Sequence, residues 1–212
     1  MRKIYSFVLL FILVIMNASG QNDPKAMGIL DKFSSKASSA PSVEMKFLFI
    51  SNDQVQKSID SLAGSVLLSK NSYKLDLPDN TIWFNGITSW SYLPAEQEVT
   101  IAKPDKDDNS FQSRPSMIFT MYKDGFKCRL LEEKNDSYLI DLYPVDLDDD
   151  LIRVRLLIAK PSLDLKSFEY KMRSGVTYTL IVTDYNLNRN PEPGNFEFNP
   201  AKHKDVEVID MR

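Results

Sequence analysis

From residue 126 to residue 184 the sequence keeps returning to one pattern. Five runs, at residues 126–131, 138–142, 152–158, 165–172 and 176–184, are dense in β-branched, aromatic and long apolar side chains, with short polar segments between them. Runs this short and this regularly punctuated do not suit helices, and they predict a meander of antiparallel strands. Arg173-Ser174-Gly175, between the last two, reads as a hairpin turn. Such a meander has unpaired edges and an apolar face to hide, so it must curl, close or take a cover.

The first half of the chain supplies more strands and a candidate cover. Asp23-Pro24 reads as an N-cap followed by proline in the first helical turn, and Met27, Leu30, Phe33 and Ala37 then recur at helical spacing until Pro41. From Val43 the period becomes two, placing Val43, Met45, Phe47 and Phe49 on one face. A second strand is predicted over residues 58–68, with Gly64 as a bulge or bend, and Tyr73, Leu75 and Leu77 alternate cleanly after it. Asn85-Gly86 lies between two apolar runs and predicts a two-residue type I′ hairpin. That turn would set Phe84 opposite Ile87, Trp83 opposite Thr88 and Thr81 opposite Trp90. One face then carries Trp83, Trp90 and Tyr92, more aromatic area than a small sheet leaves in water, and it must meet a core, a partner or a ligand. Val99 and Ile101 mark another strand, a polar loop covers residues 103–114, and Pro115 opens an apolar segment, 116–122, predicted to be helical. In the tail, residues 195–200 are expected to pin Phe196 and Phe198 to the body. The sum is a mainly β (α+β) protein of about ten strands with a strongly curved or barrel-like sheet.

The chain starts Met1-Arg2-Lys3, continues with apolar residues at 4–16 and then reads Asn17-Ala18-Ser19-Gly20. This is the pattern of a secretory signal peptide over residues 1–20, cleaved before Gln21 to leave a single domain over residues 21–212. The apolar run falls short of the roughly 20 residues that a spanning helix needs. Removing Arg2 and Lys3 from the 26 basic residues leaves 24 against 29 acidic ones, a mildly negative balance with no footprint for nucleic acid. Cys128 is the sole cysteine, cannot form an internal disulfide, and sits in a strand pattern as a buried position.

The residues that carry catalysis are missing from the expected places. His203, the sole histidine, lies between Lys202 and Lys204 and reads as a solvated residue. No nucleophile elbow or glycine-rich phosphate loop occurs, and one histidine with one cysteine makes no zinc site. Asp105-x-Asp107-x-Asn109 and Asp146-x-Asp148-x-Asp150 begin like calcium loops. They carry Ser110 and Leu151 where glycine is needed, and Ser116 and Leu157 where a bidentate glutamate belongs. The expectation is therefore a protein that is not an enzyme, with no metal or cofactor, whose working feature is apolar surface.

Several segments in order carry a resemblance: the Asp-Pro-led helix with Ile29-Leu30-Asp31-Lys32, Ser42-Val-Glu-Met-Lys-Phe47, Gly64, and Tyr73-Lys-Leu75. The most specific is Asn85-Gly86-Ile-Thr88-Ser-Trp90-Ser-Tyr92-Leu-Pro94, followed by Glu98-Val99. Together they resemble the LolA family of periplasmic outer-membrane lipoprotein carriers. The resemblance implies a strongly curved, incomplete antiparallel β-barrel with a helical lid over an apolar cavity. It also implies a monomer that takes triacylated lipoproteins from an inner-membrane lipoprotein exporter, shelters their acyl chains across the periplasm and hands them to an outer-membrane acceptor. Each exposed methylene costs about 0.8 kcal/mol, so acyl chains cannot cross water unsheltered. Carried over residue by residue, the cavity wall comprises Phe47, Phe49, Leu75, Leu77, Trp90 and Tyr92, and the lid Leu30, Phe33, Ile118 and Phe119. Many relatives place an Arg-Pro pair, tied to lid closure, where this chain has Lys70-Asn71, which keeps the charge but loses the planar guanidinium. A second reading on the same scaffold is a periplasmic lipid-sensing or regulatory binding protein.

Overall fold

A computed structural model describes residues 22–104 and 111–212 of the chain. The predicted signal peptide and most of the first acidic loop lie outside these described residues. The helix α1 spans Pro24–Ser39. Its N-terminus forms because the Asp23 carboxylate accepts from the backbone N–H of Lys25 at 2.9 Å and of Ala26 at 3.3 Å, while Pro24 takes a first-turn position where no donor is needed. Of the expected stripe, Leu30, Phe33 and Ala37 are buried, together with Ala26 and Ile29, while Met27 is only half-buried.

Among the described residues twelve strands follow: β1 (Val43–Asp53), β2 (Ser58–Ser69), β3 (Ser72–Asp76), β4 (Thr81–Phe84), β5 (Ser89–Leu93), β6 (Glu98–Ala102), β7 (Phe126–Glu133), β8 (Ser137–Pro144), β9 (Leu151–Ala159), β10 (Leu165–Met172), β11 (Val176–Asn186) and β12 (Glu207–Asp210). They make one sheet in the order β12-β6-β5-β4-β3-β2-β1-β11-β10-β9-β8-β7. The chain thus meanders outward from β1 to β6, crosses to the far edge at β7, and meanders back until β11 pairs with the other side of β1. All pairings are antiparallel except β12 with β6, a short strand the sequence pattern did not signal. Laid flat, twelve strands about 4.8 Å apart would span about 50 Å. Yet Leu75 of β3 shares one buried cluster with Leu142 of β8 and with Leu30 and Phe33 of α1, so the sheet curls strongly around its inner face. A bulge at Lys46/Phe47, where β1 meets β11, adds twist at the centre.

The crossing segment supplies the rest of the cover. It holds two 3-10 turns, η1 (Pro115–Phe119) and η2 (Met121–Lys123), in place of a single α-helix. Ile118 and Phe119 are buried, and the Phe119 ring lies 5.1 Å from that of Phe33. The Tyr122 hydroxyl donates to Asp31 at 2.7 Å, which ties η2 to α1. The β7 edge is protected by the chain entering α1. Asp23 N–H donates to the Cys128 carbonyl at 3.0 Å, and the Asn22 and Asp23 side chains accept from Cys128 and Leu130 N–H at 2.9 and 3.1 Å. Cys128 is buried there, and burial pushes its thiol up to about 11.

Two local expectations change. Gly64 is neither bulge nor bend, since β1 and β2 pair without interruption from Val43 opposite Leu68 to Asp53 opposite Ser58. It is needed because the Phe47 ring lies over it: a Cβ at that position would stand 2.7 Å from Phe47 Cζ. The hairpin after β4 also differs, with Trp83 opposite Trp90 and Thr81 opposite Tyr92. The loop has four residues, closed by Asn85 N–H to the Thr88 carbonyl at 3.3 Å. The Asn85 side chain accepts from Ile87 and Thr88 N–H at 3.1 and 3.0 Å, and these two bonds replace a two-residue turn, while Gly86 keeps the positive φ of 96°.

Candidate functional site

The predicted cavity residues separate into two groups on opposite faces of the sheet. Phe47 and Leu75 are fully buried in the main core, and Phe49 and Leu77 pack against it. Leu30, Phe33, Ile118 and Phe119 are buried in the same core. Trp90 and Tyr92 do not belong there. With Trp83, Val99 and Phe198 they build a second cluster on the outer face. Trp83 alternates with Ile82 and Phe84, which pack inward, so the whole aromatic face points away from the core. The structure therefore corrects the placement of Trp90 and Tyr92 in the cavity wall. What the face meets is the chain's own tail: after η3 (Pro193–Phe196), Phe198 lies 5.6 Å from Trp83 and 6.0 Å from Tyr92. His203 is not a solvated residue either, since its ring stacks on Phe198 at 4.8 Å and lies 4.6 Å from Tyr92.

A cavity of about 980 Å³ opens on the inner face, beside the packed core. One wall comes from Leu68, Tyr73 and Phe84 on β2, β3 and β4. The opposite wall is Phe126, Leu151, Tyr170 and Met172 on β7, β9 and β10, and the roof is Met117 and Met121 of η1 and η2. The strong curl of the sheet is what brings these two sets of strand ends together. Three of the lining side chains are methionines, whose unbranched thioethers repack around irregular apolar shapes. The solvent-exposed part of the lining is polar, with Lys70 and Asn71 in the β2–β3 turn and with Arg114, Asp124 and Asp149.

Lys70 is the predicted site residue that lines this cavity. It sits in the two-residue turn between β2 and β3 with φ of 52°. It also borders a second cavity of about 230 Å³, under the C-terminal end of α1, which shares Leu68, Ser116 and Thr120 with the first. Met117, Met121, Tyr170 and Met172 were not singled out from sequence. The available signal was a pair of methionines four residues apart in a segment already read as cover. Tyr170 brings a hydroxyl into the wall formed with Phe126, Leu151 and Met172: it faces Met117 Sδ at 3.7 Å and Met121 Sδ at 3.9 Å, and burial pushes it above its ordinary value.

Nothing in this arrangement resembles a catalytic constellation. Among the described residues no group of three or more His, Cys, Asp or Glu side chains could hold a metal ion, and no helix is long and apolar enough to cross a membrane. The chemistry on offer is an apolar enclosure with a polar mouth, suited to an amphiphile.

Residues 17–176 match the family described as outer membrane lipoprotein carrier protein LolA. No curated protein matches the sequence. Among solved structures, an uncharacterized conserved protein from Thermus thermophilus is similar at 14% identity and a TM-score of 0.59, covering 88% of this chain and 99% of that one. A LolA superfamily protein from Nitrosomonas europaea is similar at 13% identity, covering 82% of this chain and 97% of that one, with a TM-score of 0.44. LprF from Mycobacterium bovis is similar at 9% identity and a TM-score of 0.45, covering 82% and 99%.

Proposed function

The chain belongs to the LolA family of outer membrane lipoprotein carrier proteins, and on that premise we propose that it shelters lipoprotein acyl chains in the 980 Å³ cavity. In this reading the exported protein, freed of residues 1–20, crosses the periplasm between an inner-membrane exporter and an outer-membrane acceptor. The observation that carries the proposal is the cavity itself: apolar strand ends on two sides, a methionine-bearing roof and a charged mouth.

The energetics of a carrier favour such a site. Several acyl chains gain about 0.8 kcal/mol for each methylene removed from water, so affinity needs no polar anchors. Release needs a wall that can give way. The cavity volume is at the upper end of the roughly 300–1,000 Å³ that encloses a drug-sized ligand, and a triacyl group is larger, so loading must lift part of the cover. That part is the segment with η1 and η2. Both ends of α1 are held in place, by Lys25 with Glu133 of β7 and by Lys36 with Asp164 in the β9–β10 connection at 2.6 Å. Lys70, at the junction of the two cavities, is the cation that this moving segment closes against.

The test is native mass spectrometry of the mature protein mixed with a triacylated lipopeptide, beside a Met172→Glu variant. Met172 is at the end of β10 and half-buried, so a charge there is tolerated by the fold but meets the ligand. Leu75→Glu would not serve, because Leu75 is fully buried in the core. The expected result is a lipopeptide-bound species of the folded protein that falls at least tenfold in Met172→Glu. Folded protein that never takes up lipopeptide would overturn the proposal.

A further inference from the structure

Tyr170 is placed where an acyl carrier has no need of a hydroxyl. Its neighbours in the wall are Phe126, Leu151 and Met172, and phenylalanine would pack the same space. The hydroxyl's partners, the sulfurs of Met117 and Met121 at 3.7 and 3.9 Å, are weak acceptors. Both sit on the roof, so whatever lifts the roof takes them away. A hydrocarbon that fills the cavity would displace water and leave this donor without a good acceptor, whereas a ligand with an oxygen acceptor at that depth would satisfy it. The inequality works as a filter: sites built to hydrogen-bond a ligand group discriminate strongly against analogues that lack it.

We propose that the Tyr170 hydroxyl is a selectivity element of the cavity, donating to the carbonyl oxygen of an ester- or amide-linked acyl chain. This rests on the reading of the cavity as an acyl-chain site and adds to it a preference for acyl over alkyl chains. The roof methionines hold the hydroxyl in the empty state and give it up as the chain enters, so the carbonyl takes over a donor that is already oriented.

An ester and ether pair isolates the contact. 1-Monolauroylglycerol and 1-O-dodecylglycerol share head group and chain length and differ by the carbonyl. Calorimetric titration of the wild-type protein should show the ester binding about tenfold more tightly, the size of one satisfied buried hydrogen bond. Tyr170→Phe should bind the two compounds equally, and the ether at least as tightly as the wild type does because no donor is left unpaired, while its circular dichroism stays unchanged. Equal binding of ester and ether by the wild type, or a preference that survives in Tyr170→Phe, would overturn the selectivity role while leaving the acyl-chain site standing. A wild-type protein that binds neither compound would overturn both readings together.

Discussion

Replacing Gly64 by alanine tests whether the centre of the sheet is packed as described. An alanine Cβ would lie 2.7 Å from Phe47 Cζ, 2.8 Å from Cε2 and 3.0 Å from the Asp76 carbonyl oxygen. Ordinary carbon contacts need about 3.5–4.0 Å, so the ring would have to retreat by about 1 Å. It has nowhere to go cheaply: Phe47 is 2% exposed and its ring meets Phe111 edge-on at 5.7 Å. The Asp76 oxygen is backbone, held where β3 pairs with Ser65. Overpacking of this kind costs about 1–3 kcal/mol, and the lost flexibility of glycine returns about 0.4–1 kcal/mol. The net loss should be about 1–2 kcal/mol, or about 2–8 °C in melting temperature for a chain of this size. Urea unfolding followed by circular dichroism should show a lower midpoint with an unchanged slope. In a Phe47→Leu background, which removes the colliding ring edge, the same substitution should cost less than half as much. A neutral or stabilising Gly64→Ala, or an equal cost in both backgrounds, would refute the packing argument.

Glu133 accepts from Lys160 at 2.8 Å and also pairs with Lys25, and these two ammonium groups hold its carboxyl down to about 2 from an ordinary 4.5. A carboxyl held low stabilises the fold above about pH 4.5 and loses that contribution as pH falls toward 2, so Glu133→Gln should flatten the decline of urea midpoints in that window. Cys128, buried with its thiol pushed up to about 11, should resist thiol reagents in the folded protein and react rapidly in urea. Phe198→Ala should free the tail from Trp83 and Tyr92 at a cost of up to about 3 kcal/mol and speed tryptic cleavage at Lys202 and Lys204 at least tenfold, with Cys128 still protected.

Local signals carried most of the fold. The Asp23 cap, the stripe on α1 and the period-two runs report chemistry settled within a few residues, and those elements form where expected. The hairpin shows where such signals stop. Asn85-Gly86 marks a turn correctly, but the Asn85 side chain bonds two backbone donors beyond it and lengthens the loop by two residues. A slip of two keeps every side chain on its face, so Trp83, Trp90 and Tyr92 still share one. Which side that face looks toward is a different matter, because it depends on the tail, more than a hundred residues away, lying across the outer surface. The cavity is harder still to read. Its walls come from strand ends that meet only after the sheet curls, so Met117, Met121, Tyr170 and Met172 have no shared pattern in the sequence. The residues expected to line it, Phe47 and Leu75, are instead the packed floor beside it. β12 leaves no strand signal in the sequence because its four residues are all exposed and show no alternation of burial.

The most direct test of the account is where an acyl chain lies when bound. A triacylated lipopeptide with a photoreactive diazirine in its chains, irradiated on the protein and mapped by peptide mass spectrometry, reports this residue by residue. The account predicts adducts at Met117, Met121, Tyr170 and Met172 around the inner cavity, and none at Trp90, Tyr92 or Phe198. Adducts concentrated on the outer aromatic cluster, or spread without preference over the surface, would contradict it.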